Sequence, residues 1–275
     1  MRLKQSIPLK SVANARELGG YLTSDGRTVR NGVLLRTANL NDITAEDIQI
    51  LKNQYHLSDI IDFRMAMEMG GNADPIISGV MNTHLNVIDV QAFEQYKMPE
   101  ADIKHFDIIQ LVTFCEQIGM FNDQMYIGFL STESGKKAYS RFFRILLAAD
   151  PDRAVLWHCT SGKDRTGLAA MLLLSLFGVD ESVIMEDYML TNEYNAPQIA
   201  ETKKRLKARG CDDALTEKAV LMFDAVDRHF MENAIAFLRK QYGSVVGYIR
   251  SELNISEREI TLLKKIYTEE KICTR

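Results

Sequence analysis

The chain has 275 residues, which is enough for one large domain or two small ones. Hydrophobic residues make up 46% and charged residues 25%, average values that exclude a disordered, collagenous or fibrous protein. Because 37 acidic residues outnumber 33 basic ones, the net charge is −4 and we expect no nucleic-acid partner. The four cysteines lie far apart without a CxxC pair, which excludes a disulfide-dense secreted scaffold.

Neither a membrane span nor a signal peptide is recognisable in the sequence. The longest nearly continuous apolar run, residues 167–179, has 13 residues, fewer than the roughly 18 that cross a bilayer. The first ten residues lack the apolar core of a signal peptide. We therefore expect a cytoplasmic protein without stable membrane insertion, or a secreted one if a signal peptide has been removed.

Short strands and one helix are predicted in the first third of the chain. A hairpin with its turn at Asp25-Gly26 leads into the first strand, because glycine takes a positive φ without steric cost. Thr44 precedes a helical pattern and can cap its N-terminus. The β-branched and apolar content predicts strands over residues 33–37, 58–64 and 81–88.

Residues 90–130 separate the third of these strands from the next predicted helix. They contain an apolar stripe at the spacing i, i+3, i+4, i+7, which predicts an amphipathic helix. The stripe consists of Ile108, Leu111, Val112 and Cys115. We interpret this stretch as an inserted helical segment.

The second half of the chain combines one strand with many helices. Residues 154–158 read as a strand, and a very apolar helix that follows a short loop extends through Leu176. Residues 190–275 read as helical, and Ser256 with Glu259 forms a capping box for the last helix. Alternating strands and helices predict one α/β domain, residues 1–275, with a central, mainly parallel sheet flanked by helices.

The most informative segment is HCTSGKDRTG, residues 158–167, between that strand and the apolar helix. Successive N–H groups of such a loop form an anion-binding nest, and the helix N-terminus adds positive potential. Cys159, at the base of the nest, then has a stabilised thiolate that can act as a nucleophile near neutral pH. Arg165, at the far end, offers a planar fork for two phosphoryl oxygens. The loop is therefore both a phosphate cradle and a holder for a nucleophile.

The pattern HCxxGKDRTG resembles the signature of cysteine-dependent protein tyrosine phosphatases. Lys163-Asp164 between glycine and arginine is typical of the bacterial and fungal branch called the tyrosine/serine phosphatase family. The resemblance implies a protein tyrosine phosphatase-like fold and extends over most of the chain. Further segments that resemble this branch are Asn14–Gly20, Arg36-Thr37, Asp62-Phe63-Arg64 with Glu68, Asp187-Tyr188 with Asn192, and Tyr242-Gly243-Ser244 with Tyr248.

The resemblance implies a two-step phosphoryl transfer. Cys159 attacks phosphorus and forms a cysteinyl-phosphate that water then hydrolyses, while Arg165 and the loop amides stabilise the equatorial oxygens. Thr166 is expected to donate a hydrogen bond to the cysteine thiolate. The residues expected to bind phosphate or another oxyanion are Cys159, Thr160, Ser161, Gly162, Lys163, Asp164 and Arg165.

The departing oxygen needs a proton from a general acid. In this branch the candidate is Asp164, inside the loop. Asp62, at the end of its strand, is the second choice, with orientation of Arg165 as its alternative role. His158 is expected to hold the loop structurally. The supporting residues are thus His158, Thr166 and Arg64.

The expected substrates are phosphorylated proteins, with phosphotyrosine first, and then phosphoserine, phosphothreonine or phosphoinositides. Lys163 adds a cation that would suit a second phosphate. Five basic residues within 203–209 form either a solvated helix face or a patch for an anionic headgroup. In the same way, residues 90–130 form either a packed helix or a lid, since relatives in this branch carry lids.

Two alternative functions remain open from the sequence. One is an inositol polyphosphate phosphatase, and the other is a non-catalytic phosphate-binding module. The presence of Cys159, Asp164 and Arg165 argues against the binding module. No cofactor is expected, and no metal site, because the histidines show no HxxxH or HxxE spacing.

Overall fold

The computed structural model describes residues 5–70, 73–88, 107–117, 119 and 121–270. The strands are β1 (Arg16–Glu17), β2 (Arg27–Val29), β3 (Leu34–Thr37), β4 (Asp59–Asp62), β5 (Met81–His84), β6 (Val155–His158) and β7 (Thr268–Glu270). The helices are α1 (Ala45–Asn53), α2 (Ala66–Met69), α3 (Ile108–Gln117), α4 (Met125–Ser131), α5 (Glu133–Ala148), α6 (Asp164–Phe177), α7 (Glu181–Tyr194), α8 (Ala196–Ala208), α9 (Asp213–Phe223), α10 (Arg228–Tyr242), α11 (Val245–Ser251) and α12 (Glu257–Tyr267).

The central sheet has the strand order β1-β3-β6-β4-β5. Strands β3, β6, β4 and β5 are parallel, and β1 runs antiparallel at the edge. Thr37 at the end of β3 and Asp62 at the end of β4 both pair with His158 at the end of β6. The predicted α/β fold with a mainly parallel sheet is confirmed, and three strand ends meet just before the loop that begins at Cys159.

Both faces of the sheet are buried, as is usual for parallel sheets. Leu34 and Trp157 face the larger core, which also holds the apolar helix α6. Leu35 and Leu156, one position away in each strand, face a second core with Leu51 of α1. The apolar residues of these strands therefore form continuous runs, because successive side chains enter opposite cores.

Strand β4 is shorter than the sequence predicts. The N–H of Phe63 still donates to the carbonyl of His158, 2.9 Å away. The N–H of Arg64 instead donates to the Asp62 carboxylate at 2.9 Å. The backbone therefore leaves the sheet after Phe63, and this turn directs the following residues towards the loop after β6.

The predicted hairpin is present, and its outer strand has an additional partner. Gly26 occupies the turn with a φ of +83°, and Leu22 pairs with Thr28 across it. Strand β2 also pairs antiparallel with β7 near the other end of the chain. The predicted caps form too, at Thr44 of α1 and in the Ser256 capping box of α12.

The predicted insert, residues 90–130, lies in part outside the described residues, which resume at residue 107. Its apolar stripe forms α3, where Val112 packs with Leu206 and Ala219 in a small third core. Tyr126 and Leu130 of α4 belong to the larger core. Among the helices in the described ranges, none combines the length and apolar content needed to cross a bilayer.

Candidate active site

The loop between β6 and α6 passes very close to β3. Gly162 has a φ of +66°, a left-handed conformation that favours glycine. A Cβ atom at this position would lie 2.3 Å from the carbonyl oxygen of Thr37, which is a severe clash. The glycine of the loop therefore satisfies both a backbone torsion and a close approach of two chain segments.

Asparagine side chains fix the carbonyl groups of the loop from outside. Asn39 donates to the carbonyl of Thr160 through its N–H at 3.0 Å and its side-chain amide at 2.9 Å. The amide of Asn14 donates to the carbonyls of Ser161, at 3.2 Å, and Gly162, at 2.9 Å. Three successive carbonyl groups are thus bound on the outer side of the loop.

The amide groups of the loop consequently face the other way. In a trans peptide the N–H and the C=O point in opposite directions, so fixing the carbonyls of 160–162 directs the N–H groups of 161–163 inwards. Within the described part of the chain, nothing accepts a hydrogen bond from the N–H groups of residues 160–163. Cys159 lies at the base of this loop and is 1% exposed. The arrangement has the geometry of an anion-binding nest at the N-terminus of α6.

A buried ion network braces the loop from behind. Arg36 donates to the carbonyl of Gly162 at 2.9 Å and to the Asp187 carboxylate at 2.7 Å. Arg16 donates to the other oxygen of Asp187 at 3.1 Å and to the side-chain oxygen of Asn14. Burial favours a neutral carboxyl, but the two guanidinium groups prevail and lower the pKa of Asp187. Segments far apart in the sequence therefore support one loop.

Arg165 is oriented by Glu68. Its Nη1 and Nη2 atoms donate to the two carboxylate oxygens at 2.5 and 2.6 Å, and Nη1 also donates to the carbonyl of Phe63 at 3.2 Å. These bonds use three of the five guanidinium N–H groups. The other two, Nε–H and the second Nη2–H, are adjacent and have no acceptor among the described residues. Such a pair suits two phosphoryl oxygens.

The pKa of Glu68 reflects this contact. Burial alone would raise it, but the charge of Arg165 and hydrogen bonds from Arg165 and Thr160 lower the pKa to about 2. The same ion pair raises the pKa of Arg165 despite its burial. Both groups are therefore charged across the physiological pH range.

The alternative role expected for Asp62, orientation of Arg165, is wrong. Asp62 forms a bidentate ion pair with Arg64 instead, with contacts of 3.0 Å to Nε and 2.7 Å to Nη2. Arg64 also donates to Asn41 at 2.8 Å and to Asp74 at 2.9 Å. Arg64 thus orders the residues beside the cradle, and Glu68 takes the position that we expected for Asp62.

His158 is buried and contacts acceptors with both ring nitrogens. Nδ1 lies 3.0 Å from the carbonyl oxygen of Cys159 and carries a proton, because a carbonyl only accepts. Nε2 lies 2.6 Å from Asp74. His158 therefore links the start of the loop to Asp74. Asp74 had no sequence signal, since it is an isolated acidic residue 84 positions away.

Asp62, Asp74 and His158 together bring potential metal ligands within 4.8 Å of one another. The guanidinium of Arg64 already contacts both carboxylates, with ion-pair distances of 2.7 and 2.9 Å. It supplies the positive charge that a metal ion would bring. These carboxylates are therefore arranged around the guanidinium of Arg64 rather than around a metal ion.

Lys163 does not face the cradle with its side chain. Its ammonium group donates to the carbonyls of Leu221, at 2.7 Å, and Ala225, at 2.9 Å, at the C-terminal end of α9. Ser161 donates from its hydroxyl to the carbonyl of Phe223 at 2.9 Å. The expectation that Lys163 offers its charge to a second phosphate is therefore wrong, because its ammonium group is hydrogen-bonded to these carbonyls instead.

Asp164 is the first residue of α6, and its side chain remains 21% exposed. The hydroxyl of Tyr126 donates to its Oδ1 atom at 2.6 Å. Its Oδ2 atom lies 3.6 Å from the ammonium group of Lys163. Asp164 is thus partly accessible to solvent at the start of α6.

Thr166 does not make the expected hydrogen bond to Cys159. Its hydroxyl is buried and has no partner within the part of the chain that the structure describes. Thr166 lies in the first turn of α6, where helical backbone fixes its position. The predicted contact with the thiolate is therefore not formed in this structure.

The basic run on α8 is largely paired with acidic residues of neighbouring segments. The pairs are Lys203–Glu217 at 2.6 Å, Lys207–Asp213 at 3.4 Å and Arg209–Asp107 at 2.7 Å. All these side chains are solvent-exposed, so each pair contributes little stability. Of the two sequence interpretations, this pairing favours the solvated helix face.

Comparison of the sequence with known proteins identifies its family. The model of the tyrosine phosphatase family matches residues 7–269. A Cupriavidus necator protein assigned to the tyrosine-protein phosphatases is 25% identical, over 94% of this chain and 87% of its own length. A tyrosine-protein phosphatase of Nostoc commune is 37% identical, over 43% of this chain and 40% of its length.

The triple specificity protein phosphatase PtpB of Mycobacterium tuberculosis is 28% identical, over 51% of this chain and 52% of its length. The resemblance predicted from the HCxxGKDRTG pattern is thereby confirmed, and with it the protein tyrosine phosphatase-like fold. The chain belongs to the tyrosine phosphatase family and is a phosphoric monoester hydrolase.

Proposed function

We propose that the protein hydrolyses phosphate monoesters through a cysteinyl-phosphate intermediate on Cys159. In the first step an Sγ–P bond forms, the ester O–P bond breaks, and Asp164 gives its proton to the departing oxygen. In the second step water attacks phosphorus and releases its proton to Asp164. The Sγ–P bond breaks, and inorganic phosphate and the cysteine thiolate are the products.

The observation that carries this proposal is the cradle around Cys159. The N–H groups of 161–163, directed inwards, and the donor pair of Arg165 that the described residues leave without an acceptor lie on the loop and helix N-terminus that follow the buried Cys159. Such donors stabilise the charge on the equatorial oxygens in the transition state, and they need no rearrangement when it forms.

We infer that phosphotyrosine is the preferred substrate, with phosphoserine, phosphothreonine and phosphoinositides as further candidate classes. The ammonium group of Lys163 donates to the carbonyls of Leu221 in α9 and Ala225 just after it, so it offers no extra attraction for a second phosphate. The relative from Mycobacterium tuberculosis is named a triple specificity phosphatase, which supports comparison of all three classes. A panel of phosphopeptides and inositol lipids, ranked by kcat/KM, tests this order.

We also infer that the protein works in a reducing compartment such as the cytoplasm. Cys115, Cys159 and Cys211 are free thiols in the structure. A nucleophilic cysteine must remain reduced to react. Fractionation of cells with an antibody against the protein tests this location.

The decisive experiment is turnover of a chromogenic aryl phosphate in EDTA, followed by acid trapping of the phosphorylated enzyme. We expect turnover and trapped phosphate on the wild-type protein and neither on the Cys159→Ser variant. Cys211→Ser, which changes a cysteine outside the loop, serves as the matched control and should retain both. Phosphate binding without turnover would instead support the non-catalytic binding module.

A further inference from the structure

The carboxyl group of Asp164 is the first member of a chain of hydrogen-bonding groups. Tyr126 contacts its Oδ1 atom at 2.6 Å, and the hydroxyls of Tyr126 and Tyr188 lie 2.8 Å apart. The hydroxyl of Tyr188 lies 3.3 Å from the carbonyl oxygen of Asp227. Both tyrosines are buried, at 0% and 1% exposure, so water does not compete for these contacts.

With Asp164 as a carboxylate, which only accepts, counting protons determines the direction of this chain. Each phenol carries one proton, and burial raises the pKa of both tyrosines well above the ordinary value, so both stay protonated. When Tyr126 donates to Asp164, the 2.8 Å contact between the phenols takes the proton of Tyr188. The 3.3 Å contact with Asp227, the longest of the three, is then the one without a proton.

This direction distinguishes the two oxygens of Asp164. While Oδ1 accepts from Tyr126, a proton on the carboxyl group resides on Oδ2. The terminal torsion of an aspartate is otherwise broad and nearly two-fold, which would allow either oxygen to face the substrate. A short hydrogen bond from a rigid, buried ring removes this ambiguity.

We propose that Tyr126 is a positioning residue that fixes Oδ1 of Asp164 and leaves Oδ2 to exchange the proton with the leaving group. This inference rests on the proposed function, in which Asp164 is the general acid. It gives a role to α4, within the segment for which the sequence left both packing and a lid open. Tyr188 acts behind Tyr126 and orients its hydroxyl.

A purely structural role for Tyr126 can be separated from positioning. Its ring packs against Phe129, Phe230 and Tyr188, with centroid distances of 6.2, 5.6 and 6.2 Å. Tyr126→Phe keeps this ring and removes only the hydroxyl group. Tyr267→Phe is a matched control, because Tyr267 is equally buried and donates at 2.8 Å to the carbonyl of Leu146.

The test measures single-turnover formation of the phosphorylated enzyme from two aryl phosphates. 4-Nitrophenyl phosphate has a good leaving group that needs little protonation, whereas phenyl phosphate has a poor one. Since a general acid contributes about 100-fold or more, we expect Tyr126→Phe to slow phenyl phosphate roughly tenfold or more and 4-nitrophenyl phosphate less than about threefold. Tyr188→Phe should show a smaller effect of the same kind, and Tyr267→Phe none.

Vanadate affinity, measured in parallel, should stay within about twofold of wild type for Tyr126→Phe, because the cradle donors are unchanged. Equal slowing of both substrates, or no change in either, would overturn the positioning role. Should Tyr126→Phe fail to fold, the single-turnover rates of Tyr188→Phe with the same two substrates provide the test.

Asp164→Asn separates this inference from the proposed function. If Asp164→Asn itself shows no dependence on the leaving group, the general acid of the proposed function is wrong, and the role of Tyr126 falls with it. If Asp164→Asn shows the dependence and Tyr126→Phe does not, the inference about Tyr126 alone is overturned. In the double variant, Tyr126→Phe should add no further dependence to that of Asp164→Asn.

Discussion

Arg165 is held in place before any substrate binds. Glu68 accepts from both terminal nitrogens of its guanidinium, and the two planar groups match in shape. The free donor pair therefore keeps one orientation in the absence of phosphate. Preorganised donors contribute more to catalysis than mobile ones, because they do not have to be reoriented during the reaction.

The pH dependence of stability should reveal this ion pair. Glu68 has a pKa of about 2 in the folded protein against 4.5 as its ordinary value, so the contribution is complete above pH 4.5 and is lost as the pH falls towards 2. We expect the difference in unfolding free energy between wild type and Glu68→Gln to shrink by about 3 kcal/mol over this range. Urea titrations at a series of pH values measure it.

The control for this experiment is Glu46→Gln, which removes an exposed pair with Lys10. Its stability should match that of wild type at neutral pH. A difference between wild type and Glu68→Gln that stays constant down to pH 2 would contradict the assignment of the low pKa to Glu68.

Gly162→Ala should destabilise the protein by more than the cost of its left-handed backbone torsion. The new methyl group would meet the carbonyl of Thr37 at 2.3 Å, whereas Gly26, with a φ of +83°, has no atom within 4 Å of the corresponding position. Left-handed strain costs about 1–2 kcal/mol at either site, so the excess at 162 measures the clash. We expect Gly162→Ala to lose vanadate binding and several kcal/mol of stability.

Gly26→Ala should lose only the cost of the torsion and keep its affinity for vanadate. Isothermal titration and urea unfolding measure the two properties. Equal destabilisation of both variants would mean that the loop can move away from β3 at little cost.

The residues that sequence patterns bring together are those whose partners are close in the chain. Cys159 and Arg165 are predictable because one loop and one helix terminus place them together. Glu68 lies in a recognisable motif, but the sequence favours Asp62 for its role, because spacing does not show which carboxylate reaches Arg165. Tyr126 meets Asp164 across 38 positions, and only the packing of α4 reveals that contact.

At the scale of secondary structure, the loop and helix α9 form one unit. Lys163 is 3% exposed, and its ammonium group bonds two carbonyls at the end of α9. These carbonyls would otherwise lie at a helix C-terminus without donors, where a positive charge is favourable. The position of α9 and the conformation of the cradle are therefore coupled.

Lys163→Met should loosen α9 without unfolding the sheet. Loss of a buried donor leaves acceptors unsatisfied at a cost of about 1–3 kcal/mol, so amide exchange across residues 213–223 should accelerate about tenfold or more. Hydrogen-exchange mass spectrometry measures this. Lys203→Met, which removes an exposed pair with Glu217, should leave the exchange of α9 nearly unchanged. Equal acceleration in both variants would contradict the coupling.

At the scale of the whole molecule, the N-terminal segment, β3 and α7 meet behind the loop. Arg16 and Asp187 are 171 positions apart, and their contact could not be predicted from local patterns. Alternation of strands and helices did predict a parallel sheet, because that signal is repeated along the chain. The pairing of β2 with β7 was not predicted, since short edge strands carry little apolar pattern of their own.

Asp187→Asn should destabilise the protein strongly. It leaves Arg16 and Arg36 buried without their shared counter-charge, and breaking a buried pair costs about 3–5 kcal/mol. Because Arg36 also bonds the carbonyl of Gly162, vanadate affinity should fall with stability. Glu181 lies on α7, as Asp187 does, and forms an exposed pair with Arg239 of α10. Glu181→Gln removes this pair and should cost less than about 0.5 kcal/mol.

Urea unfolding and vanadate titration of Asp187→Asn and Glu181→Gln together test whether the network supports the cradle. A large loss of stability with unchanged vanadate affinity would show that the network holds the fold but not the loop. Because Arg36 contacts Gly162, we expect Asp187→Asn to lose more vanadate affinity than Glu181→Gln does. The comparison is made under conditions where Asp187→Asn is still folded. Two routes connect the two properties: the 2.9 Å hydrogen bond from Arg36 to the carbonyl of Gly162, and Asn14, which accepts from Arg16 and donates to the same carbonyl.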